Sequence, residues 1–505
     1  MVKSYFITFL FGLLSAFSLP SFFLLPFLIV GFYYLFYKIN KLKKNKEYFF
    51  HGLVFGFGHF LLGFHWIVFP FFFDQKHYLL APIIIIIFPL FLSLFLAFPS
   101  LILGNYYKKF KFNISNIFIN SFIIGSIFYF FEYFRCILFG GLPWNLFAHI
   151  WAFNNSFLII TQYVGVYGLS FLTIFWVILI IQFIAINKYK ITGLIFVSLP
   201  ILLLSIGPLE KQNPSLETIK VRLVQPNIPQ DIKWSKYYFE ESIQKLINLS
   251  KKKEGLGNVP HIIIWPEVAI TSFLNENTNL RKRIINSFNE KTVILTGALR
   301  REQLNVFNSL YLISKTRVNF YDKRKLVPFG EFIPFRSILP FKKLTEGSTD
   351  FTRGFKRKAL IINNHESKVI TFEPSICYEG IFPEKNINST NLDFLVNITN
   401  DAWFGNTTGP QQHLVATKLR SIERGLPLVR VANSGISAAF NKNGKTIKLI
   451  PHNTEGFVDV VLEIDSNKTI YSKYGDVILI LLLSFFLIIT LVIDFFLKKK
   501  VANVS

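Results

Sequence analysis

Cysteine is nearly absent, with two in 505 residues. So few cannot build a disulfide framework, nor a zinc site of the cysteine-rich spacings. The nine histidines form no H-E-x-x-H or similar cluster, so neither a metal nor another cofactor is expected. Acidic residues are scarce: 30 Asp and Glu stand against 54 Lys and Arg, a net charge of +24. Such an excess is one signature of nucleic-acid binding. Here, however, Lys is abundant together with Asn, Ile and Phe, as an A·T-biased coding sequence would produce, and much of it flanks apolar segments. No nucleic acid partner is expected. No internal repeat and no low-complexity tract occurs.

What is plentiful is apolar surface. The chain is 51% hydrophobic and 17% aromatic, with 60 Phe, and its mean hydropathy is +0.42. That is too apolar for a soluble protein and points to the membrane class. Apolar segments cover 5–19, 21–37, 48–73, 79–103, 116–139, 156–186 and 191–206, and another covers 477–497. The segment behind Lys3 also has the outline of a cleaved signal peptide, but further spans follow at once and no small-residue cleavage site appears. Lys38, Lys41, Lys43, Lys44 and Lys46 follow the second segment, Lys108, Lys109 and Lys111 the fourth, Lys188 and Lys190 the sixth, and Lys498, Lys499 and Lys500 the last. The intervening loops are almost free of Lys. The positive-inside rule puts these basic loops and both termini in the cytoplasm. The expected organisation is a seven-span region over 1–206, an outward-facing domain over 207–474, and a last span with a basic tail over 475–505.

Within 207–474 the composition becomes that of a globular domain, long enough to bury a full core. Short apolar runs predict strands at 220–225, 261–265, 292–297, 309–314, 368–372, 394–398, 428–431 and 457–463. Helical patterns predict helices at 235–252, 279–288 and 411–424. Strands alternating with helices argue a layered α/β domain with buried sheets.

Three motifs stand at strand ends. In the first, Ile262-Ile263-Ile264-Trp265 runs into Pro266, which stops the strand and delivers Glu267 at its tip. In the second, Tyr321-Asp322-Lys323 is followed by Val327-Pro328-Phe329-Gly330-Glu331. In the third, Val369-Ile370-Thr371-Phe372 meets a turn at Glu373-Pro374-Ser375 and then Cys377, Tyr378, Glu379 and Gly380. Singly these read as a solvated acid, a charged loop and an inert core cysteine. Together they form an acyl-transfer set. Free Cys near pH 7 is only a few per cent thiolate. Glu267 can accept the thiol proton, and the Lys323 charge favours the thiolate. Attack on an ester carbonyl creates an oxyanion, for which the Lys323 ammonium and the Tyr378 main-chain N–H are donors. One such donor is worth ~3 kcal/mol. Glu331 orients Lys323 or shares protons with Glu267. Two carboxylates beside one ammonium leave the charge of the site tunable.

These motifs resemble the nitrilase, or carbon–nitrogen hydrolase, superfamily. Seven leading spans and one trailing span around such a domain resemble the bacterial apolipoprotein N-acyltransferase family. The resemblance covers essentially the whole chain and is strongest over 225–435. It implies an α-helical membrane bundle of about eight spans plus an αββα sandwich. It places the catalytic Glu on Glu267, the Lys on Lys323 and the nucleophile on Cys377, with further functional residues at Trp234, Glu331, Tyr378 and Glu379. Asn400-Asp401-Ala402-Trp403-Phe404-Gly405, Arg430-Val431-Ala432-Asn433-Ser434-Gly435, Gly141-Leu142-Pro143-Trp144 and Tyr471-Ser472-Lys473-Tyr474-Gly475-Asp476 also match family blocks. The short second segment and the Phe-rich helices depart from the pattern and leave helix contacts open.

The reaction implied is a transfer in two steps. Cys377 takes an acyl chain from a glycerophospholipid, and the α-amino group of the S-diacylglyceryl-cysteine of an apolipoprotein then takes it from Cys377. The implied setting is the inner membrane, with a periplasmic catalytic domain on a monomer. Lipid substrates require a site open to the bilayer. Phe332 and Phe335, with Ile333, Ile338, Leu339 and Phe341 around them, can dip into the interface while Arg336, Lys342 and Lys343 meet phosphates, or this loop can pack on the sheet. Trp403 and Phe404 offer a second lipid contact. In the membrane part, Glu132 and Arg135 lie one turn apart and read as an ion pair or a functional site. His59 and His65 read as satisfied core groups, and Cys136 as packing. The alternatives are a membrane-anchored nitrilase-type amidase using water as acceptor, and a transporter or lipid-binding module with a degenerate outer domain.

Overall fold

The computed structural model describes residues 2–73, 75–109, 117–185, 190–205, 217–253, 260–334, 336–337, 343–345, 349–356, 358–363, 369–383, 391–464, 468–481, 483–485, 487–489 and 492. The chain separates into two compact units. One is made of Met1–His65, Ile83–Glu210 and Thr469–Ser505, the other of Trp66–Pro82 and Lys211–Lys468.

The first unit is helical. Its elements are α1 (Val2–Ala16), α2 (Pro26–Lys41), α3 (Asn45–Gly63), α4 (Ala81–Lys109), α5 (Ile117–Ile137), the single turn α6 (Asn155–Leu158), α7 (Thr161–Ala185) and α8 (Lys190–Ser205). Every apolar segment expected before residue 207 contains a helix, but length divides them. Among the described residues, His77–Lys108, Ile117–Gly140 and Thr161–Ala185 are long and apolar enough to cross a membrane, and α3 with His65–Phe72 makes a fourth candidate bent by 52°. Helices α1, α2 and α8 have 15, 16 and 16 residues, roughly 24 Å at 1.5 Å per residue. That falls short of the ~30 Å of a hydrocarbon core. Hydropathy alone missed the bend after α3, because an apolar run carries no record of a kink; the longest segment, expected to include a re-entrant or interfacial lead-in, begins with the single turn α6 and is broken at Gly165, where φ is 68°.

Small and polar residues join these helices. A Cβ built on Gly12 of α1 would lie 2.1 Å from the carbonyl oxygen of Phe55 in α3. Only glycine permits that backbone approach. The same helix pair is tied by Thr8 to His51 Nδ1 and by Ser15 to His59 Nδ1, both at 2.8 Å, so His59 is a satisfied core group. His65 Nδ1 meets the Leu62 carbonyl at 2.8 Å, and Cys136 is buried in packing. Glu132 and Arg135 do not make the expected ion pair. Glu132 accepts from the Phe147 N–H at 2.8 Å, and Arg135 donates to the carbonyls of Leu142 and Trp144 at 3.0 and 2.8 Å. The irregular backbone of 142–147 has polar groups that no helix satisfies, and the two side chains serve those instead.

The second unit has four layers. One sheet has strand order β13-β1-β2-β4-β5-β6, with β3 on β4, and the other has order β12-β11-β10-β9-β8-β7. The strands are β1 (Glu217–Gln225), β2 (Ile262–Ile264), β3 (Ile270–Phe273), β4 (Val293–Glu302), β5 (Asn305–Ile313), β6 (Val318–Asp322), β7 (Leu360–Asn363), β8 (Val369–Ile376), β9 (Phe394–Thr399), β10 (Leu428–Ala432), β11 (Ser437–Phe440), β12 (Thr446–Ile450) and β13 (Gly456–Ile464). Val221, Leu223, Ile264 and Leu295 of the first sheet share one buried cluster with Ile370, Phe372, Val396 and Val429 of the second. Alternate residues, such as Val224 and Ile263, face outward and are covered by α9 (Phe239–Lys251) and α10 (Thr278–Asn286). Leu395 and Leu428 of the other sheet are covered by Leu414 of α11 (Gly409–Arg424). This period-2 burial on two sheets is the expected sandwich.

One strand runs further than its sequence predicts. β8 continues through Glu373-Pro374-Ser375 to Ile376, with Pro374 opposite Val396 of β9. Pairing with β7 ends at Phe372, so the N–H that Pro374 lacks falls past the end of that ladder and costs no bond. Placing a side chain at Gly12 tests the close helix contact. Gly12→Val is expected to destabilise the helical unit by roughly 1–3 kcal/mol through overpacking, read as a lowered melting temperature in detergent micelles.

Candidate active site

The ends of three strands converge. Glu267 follows β2 across Trp265 and Pro266. The turn that carries it lies hard against β4, where a Cβ on Gly297 would sit 2.3 Å from the Val268 nitrogen and 2.6 Å from the Glu267 Cα. Glycine at 297 is therefore a condition of placing Glu267. Lys323 is the first residue beyond β6. Its main chain is held on both sides, donating to the Asn308 carbonyl at 2.8 Å and accepting from the Gly354 N–H at 2.8 Å. The preceding Asp322 is clamped by the Arg300 guanidinium, with both contacts at 2.9 Å.

Lys323 is buried and points between two carboxylates. Its Nζ donates to Glu267 Oε1 at 3.1 Å and to Glu331 Oε1 at 2.9 Å. Asn308 of β5 donates its Nδ2 to the same two oxygens at 2.8 and 3.1 Å. The second Glu331 oxygen accepts from the Val327 N–H at 2.9 Å, so Glu331 is a fixed support that orients Lys323. Burial opposes the Lys323 charge, but Glu267 and Glu331 outweigh it and hold the pKa well above an ordinary lysine's.

Cys377 comes from the other sheet, at the tip of β8. It occupies the left-handed region at φ 51°, a strained conformation for a residue with a Cβ and one found at active-site turns. Its thiol feels the Glu267 and Lys323 charges. Burial, and then Glu267, push the thiol up to about 12, with Lys323 pulling the other way. A thiol raised in this way favours its protonated form, and a base would have to take its proton before the sulfur could attack a carbonyl.

Glu379 fastens the two sheets' loops together. One oxygen accepts from the Tyr321 hydroxyl at 2.9 Å and from the N–H groups of Arg324 and Lys325 at 2.7 and 3.1 Å, and the other accepts from the Ile376 N–H at 2.9 Å. Burial raises its pKa, with these main-chain donors opposing. Its bonds hold the cysteine turn to the lysine turn. Tyr378 packs edge-on against Phe382 at 5.0 Å. Trp234 packs against Val268, Leu299 and Phe351, beside the Glu267 turn. Behind Cys377, His413 Nε2 lies 3.3 Å from the Cys377 carbonyl, and its Nδ1 is 2.9 Å from Asp401, which Arg430 grips at 2.6 Å. The motifs at 225–234, 400–405 and 430–435 also meet: Asn400 donates to Gln230 at 2.8 Å, and Asn433 donates to the Ile228 carbonyl at 2.8 Å.

The lipid-contact residues fall in varied places. Phe332 is half-buried, its carbonyl accepting from the Phe329 N–H at 2.7 Å, and Ile333 is buried. Phe335, Ile338, Leu339, Phe341 and Lys342 lie outside the described residues. Arg336 pairs with Asp350 at 2.6 Å, and Lys343 is buried over the Phe351 ring at 4.1 Å. Lys343 is not laid out for phosphate as expected, because its ammonium is buried on an aromatic face, whereas Arg336 is exposed beside its carboxylate partner. Trp403 meets Phe73 edge-on at 5.3 Å, and Phe404 meets Trp66 at 4.7 Å, so the Trp66–Phe73 stretch covers both.

Comparison with known proteins gives matches to both parts of the chain. A model described as apolipoprotein N-acyltransferase N-terminal domain matches residues 11–179, and one described as carbon-nitrogen hydrolase matches 220–471. An apolipoprotein N-acyltransferase of Rickettsia typhi is 32% identical, over 97% of this chain and 98% of its own. The chain belongs to the apolipoprotein N-acyltransferase family. Relatives of that name in Rickettsia bellii (32% identical, 98% of each chain) and Rhodopseudomonas palustris (31%, 84% of this chain and 82% of its own) support the same membership.

Sequence reasoning missed Asn308, Lys233 and His413. Asn308 sits inside an ordinary-looking strand, Lys233 is hidden beside the more conspicuous Trp234, and His413 is one residue of a helix pattern. The alternation of β5 held a faint signal, since it puts the polar Asn308 in the same inward register as Leu310 and Leu312. Two outcomes check this geometry. Asn308→Ala is expected to slow acylation of Cys377 roughly 10–100-fold, about 1.4–2.7 kcal/mol, measured by single-turnover mass spectrometry. In a Cys136→Ala background, alkylation of Cys377 by iodoacetamide is expected to climb across pH 7–10 without levelling, as a raised thiol pKa requires; a plateau near neutrality would contradict the protonated resting state.

Proposed function

We infer that the protein acts as an apolipoprotein N-acyltransferase with Cys377 as the acyl carrier. It moves a fatty acyl chain from a glycerophospholipid to the α-amino group of an S-diacylglyceryl-cysteine. The observation that carries this reading is a cysteine in a strained left-handed turn, within electrostatic reach of a buried carboxylate–ammonium–carboxylate cluster.

Glu267 takes the thiol proton as Sγ attacks the ester carbonyl. The developing oxyanion is met by the Lys323 ammonium and the Tyr378 main-chain N–H. Collapse breaks the ester bond, the departing glycerol oxygen takes the proton from Glu267, and a lysophospholipid leaves a thioester on Cys377. The neutral α-amine then attacks. With an intrinsic pKa of about 8 it has a usable neutral fraction near pH 7. Glu267 accepts the amine proton and returns it to sulfur as the amide forms. Glu331 and Glu379 position Lys323 and the cysteine turn, and Trp234 packs beside Glu267.

The organisation that suits this chemistry is seven spans over 1–206, with the short helices α1, α2 and α8 accommodated by local thinning of the bilayer, a periplasmic catalytic domain over 207–474, and an eighth span with a basic tail over 475–505. The chain is multi-pass in the inner membrane and works as a monomer with cytoplasmic termini. The distribution of Lys between loops supports this topology, as does the need of lipid donors to reach the cysteine from the outer leaflet. Phe332, Phe335, Trp403 and Phe404 are the residues assigned to lipid contact, the last two jointly with the Trp66–Phe73 stretch that packs on them.

Incubation of the purified protein with phospholipid is expected to add an acyl mass to the Cys377 peptide. Adding a diacylated lipopeptide should discharge it with formation of the triacylated product. Cys377→Ala should abolish both. Discharge mainly to free fatty acid despite the lipopeptide would instead indicate an amidase-like hydrolase.

A further inference from the structure

The site described above holds one ammonium, on Lys323, already committed to two carboxylates. A second lies beside it. Lys233, in the turn before Trp234, is buried, with a relative exposure of 6%. Its Nζ donates to the main-chain carbonyl of Glu267 at 3.1 Å. Among the described residues that is the one hydrogen bond of the ammonium, and no carboxylate lies within ion-pair distance of it. A lysine that far from water is ordinarily paired. Its electrostatic partners are the Glu267 carboxylate and the Cys377 thiol.

We propose that Lys233 is the second cation of the acyl-transfer site, supplying the counter-charge for Cys377 when its proton moves to Glu267. This rests on Cys377 being the acyl carrier. The charge balance gives the reason. At rest the cluster holds two ammoniums, Lys233 and Lys323, two carboxylates, Glu267 and Glu331, and a neutral thiol. Transfer of the proton from sulfur to Glu267 moves one negative charge from carboxylate to sulfur. Lys323 then remains bound to Glu331, while Lys233 no longer faces an ionised Glu267 and is left to the thiolate. When the thiolate adds to the ester carbonyl the same negative charge passes to the oxyanion, still inside the field of both cations. The other charged groups nearby are already engaged. Asp401 is gripped by Arg430 and faces His413, and Glu379 is bound by four donors. Without Lys233 the thiolate of the half-buried Cys377 would form beside buried groups of net negative charge, where screening is weaker than in bulk water. Burial pulls the Lys233 pKa down to about 8, which leaves the ammonium largely charged at neutral pH.

A purely structural role would use the same hydrogen bond, since Lys233 anchors the carbonyl of Glu267. The two roles separate by substitution. Lys233→Arg keeps the charge, Lys233→Gln keeps a donor for the carbonyl but no charge, and Lys233→Met keeps neither. Each would be made in full-length protein carrying Cys136→Ala. The readouts are alkylation of Cys377 by iodoacetamide at pH 7, the single-turnover rate of acyl-adduct formation on vesicles of phosphatidylethanolamine and phosphatidylglycerol, and the melting temperature. Met and Gln are both expected to lose roughly 10²-fold or more in alkylation and acylation, the scale of losing one charge-stabilising group. Arg is expected to recover most of both, with Gln and Arg melting together. Gln matching the parent protein, or Met retaining the parental alkylation rate, would overturn the proposal. If the parent protein forms no acyl adduct, the acyl-carrier reading fails, whereas the alkylation series still decides whether Lys233 supports the thiolate.

Discussion

The catalytic unit depends on an ammonium held between two carboxylates where water does not reach. Desolvating any one of these groups alone would cost several kcal/mol. The arrangement persists because each charge is answered: Lys323 by Glu267 and Glu331, and both carboxylates again by Asn308. Two buried charges of one sign and one of the other cannot be packed apart without leaving an orphan, so the strand ends bearing them must arrive together. That requirement explains features with no chemistry of their own, such as the glycine at 297 that lets the Glu267 turn approach β4, and the Arg300 clamp on Asp322 that aims Lys323.

Cys377, the proposed nucleophile, belongs to a different sheet, so its alignment with this cluster is a tertiary problem. Glu379 addresses it. Its carboxylate binds main-chain N–H groups on both sides, from Ile376 before the cysteine and from Arg324 and Lys325 after the lysine. The cysteine's left-handed backbone is sustained by this bracket and by the His413, Asp401 and Arg430 network behind it. Strain at a nucleophile persists only where the surroundings over-determine it, and here they do so from two directions.

Much of the site is legible in the amino-acid sequence. Glu267 after Trp265-Pro266, Lys323 after Tyr321-Asp322 and Cys377 after β8 are each announced by an apolar run ending in turn residues, which is local information. Glu331 and Glu379 are visible as acids near those ends, but their tasks are not. Glu331 is bonded to Lys323 and to the Val327 N–H, and Glu379 brackets two loops, contacts that are set by donors the local pattern does not name. Glu132 and Arg135 fail as a pair for the same reason. One helical turn makes them neighbours in the pattern, but unsatisfied backbone at 142–147 competes for both and wins.

By itself the sequence determined the alternation of strands and helices over 217–464, the helical character of the stretches before it, and the strand ends that bear the acid, the lysine and the cysteine. These follow from hydrophobic period and turn chemistry, which act over a few residues. Tertiary structure alone decided which side chains complete the charge balance. It brought Asn308 between two carboxylates, left Lys233 without one, and interrupted apolar runs at the bend after α3 and at Gly165. Those outcomes depend on distances between segments far apart along the chain, and electrostatic energy in a dry interior is governed by such distances.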